Sequence, residues 1–152
     1  MRVSRAAAGR VCPMELSLPP SPVHLAGLRR AARACLGGVA SEAADDVVLA
    51  LNEAATNAIL YGSSGGQPVQ VVVHVNDDVV EASVLDHGPD LPAEPPTNAD
   101  TDALAVRGRG LWLLRRLVDE VRLERVRLGT RVTLRRAIGP PDTPARQAAG
   151  QA

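Results

Sequence analysis

The strongest periodic pattern in the 152-residue chain lies between residues 41 and 62. Its apolar residues recur at spacings of three and four, which predicts a helix with one buried face. The predicted buried stripe is Val47, Val48, Leu51, Ala54, Ala55, Ala58 and Ile59. Glu53 and Asn57 lie one above the other on the opposite face, between Leu49 and Leu60. This arrangement suggests a covered polar site, and the alternative is an ordinary exposed helix face.

The rest of the pattern predicts a β-α-α-β-β-loop-α-β-β order. Alternating and β-branched runs predict strands, and spacings of three and four predict helices. The predicted strands are residues 15–18, 69–75, 79–85, 121–128 and 130–136, and the predicted helices are 22–36, 41–62 and 111–118. Ser21 precedes Pro22 as a helix start, and the last two strands form a hairpin around Gly129. Antiparallel hairpins need one covered face, so we predict an α+β two-layer sandwich.

One domain at residues 14–137 accounts for this pattern, with flexible tails at 1–13 and 138–152. The segment 91–107 contains three prolines and no clear element. A long connection of this kind within a compact domain is usually functional or disordered.

Composition narrows the class of protein. One Trp, one Tyr and no Phe require an aliphatic core, and a net charge of zero argues against general attraction to nucleic acid or an anionic membrane. Cys12 and Cys35 have no metal-site spacing, and we expect two reduced thiols. No apolar run is long enough to span a bilayer, and no secretory signal is evident, so we expect a cytoplasmic protein.

Three short motifs accompany the long helix. Asp86-His87-Gly88 ends a predicted strand, where a carboxylate can project into a cleft and a glycine lets a ligand approach the backbone. Gly108-Arg109-Gly110 precedes a helix, whose first N–H groups can bind phosphate oxygens. Gly129-Thr130 lies in the last hairpin. Taken singly, the first motif is more typical of a plain strand-ending turn, and the second is weak evidence that a flexible hinge would also explain.

Together, in this order, the motifs resemble the Bergerat-fold ATPase domain of gyrase, Hsp90, histidine kinases and MutL. More narrowly, the chain is similar to the anti-sigma factor serine kinases of the RsbW and SpoIIAB type. The matching segments are NEAATNAILYG, LDHGPD, GRGLWLLRRLVDE and GTRVTLRR. The resemblance covers residues 15–136 and implies a mixed, mostly antiparallel sheet with helices on one face.

The resemblance also implies roles for individual residues. Asn57 would bind Mg²⁺, and Glu53 would be the general base. Asp86 would accept a hydrogen bond from the adenine amino group, Gly88 would leave room for the ring, and Thr130 would support the adenine side. The phosphates of ATP would be lined by Arg107, Gly108, Arg109, Gly110 and Leu111. Residues 91–107 would form the ATP lid.

The implied function is an ATP- and Mg²⁺-dependent serine/threonine kinase. Its partners would be a STAS-domain anti-anti-sigma factor, which it phosphorylates, and a sigma factor, which it sequesters. A homodimer is also implied, and direct binding to nucleic acid or membrane is not.

Three alternatives remain open. The family usually has a glycine where Asp90 stands and a glycine-rich lid where Pro92, Pro95 and Pro96 occur, and these departures favour a nucleotide-sensing module without kinase activity. A histidine-kinase catalytic fragment would need a dimerisation helix with a phosphorylatable His, and His24 has no second long helix before it. The last alternative is an α+β domain that binds no nucleotide.

Overall fold

The computed structural model describes residues 12–62, 66–88 and 111–138. Its strands are β1 (Cys12–Leu18), β2 (Val69–Val75), β3 (Val79–Leu85), β4 (Glu120–Val126) and β5 (Gly129–Ala137). Its helices are α1 (Leu25–Cys35), α2 (Ser41–Tyr61) and α3 (residues 111–117), and a 3-10 turn at Pro22–His24 leads into α1. This order agrees with the prediction from the sequence pattern.

The strands form one sheet in the order β1-β2-β3-β5-β4. The prediction allowed for a mixed sheet, but all pairings between the described strands are antiparallel. The Asn76 side chain closes the β2–β3 hairpin by accepting the backbone N–H groups of Asp78 and Val79 at 2.9 and 2.8 Å. In the β4–β5 hairpin, the turn is residues 127–128, and Gly129 is the first residue of β5.

The two faces of the sheet differ in polarity because successive side chains alternate between them. The helix-covered face carries the buried residues of β1, β2 and β3, and the other face carries charged and polar residues such as Glu81, Arg122 and Arg135. The core contains only Leu, Val, Ala, Ile and Met among the described residues. The prediction of an aliphatic core is therefore confirmed for that part of the chain.

The inner face of α2 forms the centre of the core. All seven residues of the predicted stripe are buried, and α2 contacts α1, β2, β3 and β5. The helix ends at Tyr61, where the N–H of Gly62 still donates to the carbonyl of Ala58 at 3.0 Å. Both the burial and the end of this helix agree with the prediction.

The N-terminal boundary of the fold differs from the prediction. β1 begins at Cys12, where Cys12 pairs with Val75 and Pro13 pairs with His74, so these two residues belong to the sheet and not to a tail. A proline fits there because β1 is an edge strand, which has one side without ladder hydrogen bonds. The start of α1 also differs: Pro22 opens the 3-10 turn, and the α-helix begins at Leu25.

The prediction of two reduced thiols is wrong for this structure, in which Cys12 and Cys35 form a disulfide. Their Cα atoms are 5.6 Å apart, which is a usual distance for such a bridge. The bridge joins the first residue of β1 to the last residue of α1. The 23-residue separation in sequence gave no sign of this, because the proximity arises only when α1 packs back on the sheet.

No helix within the described ranges is long and apolar enough to cross a membrane.

A half-buried ion-pair cluster ties three parts of the fold together at the end of β5. Arg136, whose side chain is 21% exposed, lies 3.2 Å from Asp46 of α2 and 3.9 Å from Asp119, which follows α3. Asp119 also accepts the backbone N–H of Ala137 at 2.6 Å. The cluster therefore fixes α2 and the end of α3 to the same strand.

We expect Arg136→Ala to lower the free energy of unfolding by about 1–3 kcal/mol, because Asp46 would lose its charged hydrogen-bond partner at a half-buried position. Arg122→Ala is the matched control: Arg122 pairs with Glu120, but its side chain is 59% exposed, so the loss should stay below about 0.5 kcal/mol. Urea unfolding of the two variants measures both values. Equal losses would contradict a stabilising role for the Arg136 cluster.

Candidate functional site

Asp86 is buried at the point where β3 ends. It is 8% exposed, and its Oδ1 atom accepts the backbone N–H of Gly88 at 3.1 Å and of Thr130 at 3.3 Å. The backbone N–H of Asp86 donates to the carbonyl of Thr130 at 3.0 Å. The end of β3 is thus joined to the start of β5 through both the main chain and the Asp86 side chain.

Asp86 and Thr130 are the two polar residues that lie buried in the described part of the chain. They are 44 residues apart and were predicted as site residues from two separate motifs. A buried carboxylate must be hydrogen-bonded to be tolerated, and the backbone of Thr130 helps to satisfy this requirement. The structure therefore brings together the two residues that the resemblance assigned to the adenine side.

Glu53 and Asn57 lie on the outer face of α2, as predicted. Both are half-buried, whereas Leu49 and Leu60 on either side are 45% and 57% exposed. From Asn57 to Gly62, where the helix meets Asp86, the axial distance is about 7.5 Å at 1.5 Å per residue. Glu53 and Asn57 therefore lie along the C-terminal half of α2, and Asp86 lies where that helix ends.

Of the five residues predicted to line the phosphates, the structure describes one. Leu111 is half-buried at the first described position of α3. Arg107, Gly108, Arg109, Gly110, Asp90 and the predicted lid at 91–107 lie outside the described residues.

The described residues offer few possible metal ligands. This suits a metal ion that is bound mainly by the phosphate oxygens of a nucleotide and by water. No group of three or more His, Cys, Asp or Glu side chains that could hold a metal occurs within residues 12–62, 66–88 and 111–138. Asn57 offers one neutral amide oxygen beside the Glu53 carboxylate, and Mg²⁺ commonly uses few protein ligands together with phosphate and water oxygens. These residues fit such an ion and do not form a metal cage of their own.

One residue that contacts this site could not be recognised from the sequence pattern. Gly62 was interpreted only as a helix end, but a Cβ atom at Gly62 would overlap the carboxylate of Asp86. A glycine after a helix is so common as a stop signal that its position in the sequence could not indicate a contact with a residue 24 positions later.

The described fold is a layer of helices on an antiparallel sheet, with buried polar residues where α2 meets the end of β3. Residues 18–136 match the sequence model of the family described as histidine kinase-like ATPase domain. The RsbW serine-protein kinase of Bacillus pumilus is 33% identical, over 73% of this chain and 77% of that protein. The RsbW of Listeria innocua is 28% identical, over 72% of this chain and 76% of that protein.

The chain therefore belongs to the histidine kinase-like ATPase family, and within it to the RsbW family. A solved structure agrees with this placement. The crystal structure of the RsbU and RsbW domains of a Mycobacterium tuberculosis protein is similar with a TM-score of 0.64 and 25% identity. The similarity covers 84% of this chain and 33% of that longer chain.

We expect Asp86→Asn to weaken ATP binding about tenfold or more. Oδ1 can keep its two N–H donors, but an amide NH₂ then replaces the second carboxylate oxygen, and a mispaired buried polar group costs about 1–3 kcal/mol. Titration calorimetry with ATP measures the change. Asp45→Asn, at an exposed carboxylate paired with Arg33, should leave the affinity unchanged. If the parent protein bound GTP as tightly as ATP, Asp86 would not recognise the adenine amino group.

Proposed function

We propose that this protein is an ATP-binding anti-sigma factor that phosphorylates a serine or threonine of a STAS-domain anti-anti-sigma factor. It would phosphorylate that partner in one nucleotide state and sequester a sigma factor in the other. The observation that carries the proposal is the junction of Asp86 with Thr130 beside the helix that holds Glu53 and Asn57. Membership of the RsbW-type family supports the same activity and a location in the cytoplasm.

In this proposal, each end of the nucleotide has its own residues. Asp86 would accept the adenine amino group, with Thr130 holding the carboxylate in place and Gly88 leaving room for the ring. Asn57 would hold Mg²⁺, which supplies charge neutralisation at the phosphates when it is bound. Residues 107–111 would line the phosphate chain. Phosphoryl transfer depends mainly on such positioning and on charge neutralisation, so few residues are needed.

Glu53 would act on the protein substrate. Its carboxylate would take the proton of the serine hydroxyl while the hydroxyl oxygen forms a bond to the γ-phosphorus of ATP. The bond from that phosphorus to the β–γ bridging oxygen would break, and ADP would leave. Glu53 and Asn57 are one helical turn apart, so the base and the metal ligand can act on the same phosphate group without competing for one position.

Partner switching would require different affinities for the two partners in the ATP and ADP states, because a ligand shifts an equilibrium only by its differential affinity.

A homodimer is part of the proposal as well. In the described sheet, β1 has a neighbour on one side only, so its outer edge can pair with a second copy of the chain.

A nucleotide-sensing module without kinase activity is the second candidate. It is favoured by Asp90, which stands where the family usually has a glycine, and by the prolines at positions 92, 95 and 96. An added acidic side chain near phosphates would oppose their binding, and prolines would restrict the lid. Such a protein would still exchange partners in response to ATP.

We expect Asn57→Ala to remove the magnesium dependence of ATP binding, because the variant loses the one protein ligand assigned to Mg²⁺. Calorimetric titrations with and without Mg²⁺ measure the effect. Asn52→Ala is the matched control on the same helix: its side chain accepts a hydrogen bond from Arg29 at 2.9 Å, and its loss should leave the dependence intact. An Asn57→Ala variant that binds Mg-ATP as tightly as the parent would refute this assignment.

We expect Glu53→Gln to leave ATP affinity nearly unchanged and to lower phosphoryl transfer about 10²–10⁴-fold, the usual effect of losing a general base. Transfer of labelled phosphate from ATP to the partner STAS protein is the measurement. Glu42→Gln, in the exposed first turn of α2, is the control and should transfer phosphate at the parent rate.

The same assay separates the two candidate functions. If the parent protein binds ATP and its partners but transfers no phosphate, the sensing module is the correct function. If Glu53→Gln also abolishes ATP binding, Glu53 holds the nucleotide or its metal, and the roles proposed for Glu53 and Asn57 are wrong.

A further inference from the structure

There is no room for a side chain at Gly62, because the Asp86 side chain occupies the position that a Cβ atom would take. A Cβ atom on Gly62 would overlap the Oδ2 and Cγ atoms of Asp86 and lie 2.7 Å from its Cβ. All three of these nearest atoms belong to the Asp86 side chain. The backbone of Gly62 itself is in an ordinary right-handed conformation, with φ −109° and ψ −6°. The need for glycine therefore arises from the contact with Asp86 and not from the backbone.

The Asp86 carboxylate is held from two directions. Its Oδ1 atom accepts the N–H groups of Gly88 and Thr130, which fixes that oxygen toward β5. Its Oδ2 atom is the one nearest to the position that a Cβ atom of Gly62 would take, just after the end of α2. A side chain at position 62 would push on Oδ2 while Oδ1 stayed bonded. It would therefore rotate the carboxylate or move the end of β3 away from the end of α2.

Two other glycines pack tightly here, but they touch backbone. A Cβ on Gly88 would overlap the carbonyl of Gly62, and a Cβ on Gly129 would overlap the carbonyl of Asp86. Substitution at either position would displace the main chain of α2 or β3. Gly62 differs because its substitution acts first on a side chain, and this makes it the selective probe of the carboxylate.

We infer that Gly62 is a positioning residue for base recognition: its missing side chain sets the orientation of the Asp86 carboxylate and thereby the preference for adenine. This inference rests on the proposed function, in which Asp86 accepts the adenine amino group. A hydrogen bond weakens steeply with misalignment, so a rotated carboxylate would lose its advantage for an amino group over the carbonyl that guanine presents.

The test is Gly62→Ala in the full chain, with ATP and GTP titrated separately by calorimetry. We expect ATP affinity to fall about tenfold or more and the preference for ATP over GTP to fall by a similar factor. Gly27→Ala in α1 is the matched control, because a Cβ at Gly27 meets nothing within 4 Å. Its two affinities should equal those of the parent.

A thermal-unfolding cycle shows whether the effect passes through Asp86. Gly62→Ala should lower the Tm of the parent, and it should lower the Tm much less in an Asp86→Gly background, where all three clashing atoms are gone. This readout needs no nucleotide. If Gly62→Ala alone fails to fold, the double variant should regain a cooperative transition.

The failures are distinguishable. A parent protein that binds no ATP overturns the proposed function, and the inference falls with it. A parent that prefers ATP, with a Gly62→Ala variant that keeps both affinity and preference, overturns the inference alone. The inference is also overturned if Gly62→Ala lowers Tm equally in both backgrounds, or if the double variant fails to recover from a Gly62→Ala folding defect, because the residue then acts through some other contact.

Discussion

The packing of α2 against the sheet is the constraint on which the rest of this structure depends. The inner face of the helix consists largely of small side chains, and Ala50, Ala54 and Ala55 are almost completely buried. Small side chains let the helix backbone lie close against the valines of the sheet, and interiors are packed tightly enough to make that distance well defined. The end of the helix is thereby brought to the end of β3, where Gly62 meets Asp86.

One helix therefore carries the core on one face and two predicted site residues on the other. Glu53 and Asn57 stand on the outer face, and their distance from Asp86 is set by the buried alanines and by the length of the helix. The Asp86–Thr130 junction adds a second constraint, because a buried carboxylate without hydrogen bonds would be costly. Its bonds to the backbone keep the carboxylate in place, so this side of the site is formed by the protein itself.

Charge is organised differently on the two faces of the sheet. On the open face, Arg135 lies between Glu81 and Glu120 on neighbouring strands, and all three side chains are between 44% and 49% exposed. Pairs this exposed contribute little to stability. Arg136, the next residue, points to the covered face and joins α2 and the end of α3 to β5. Because side chains alternate along β5, Arg135 forms exposed ion pairs on one face, and Arg136 forms the ion pairs that join the helix layer to the sheet on the other.

The sequence by itself determined the order of the elements, the buried face of α2 and the candidate residues, because all of these follow from local periodicity and short motifs. The tertiary structure decided which segments far apart in the chain contact one another, and through which groups. It showed that Asp86 and Thr130 share hydrogen bonds, that Cys12 and Cys35 form a disulfide, and that Gly62 makes room for a carboxylate. Those facts depend on how α1 and α2 pack on the sheet, and contacts between segments far apart in the chain leave no periodic signal in the sequence.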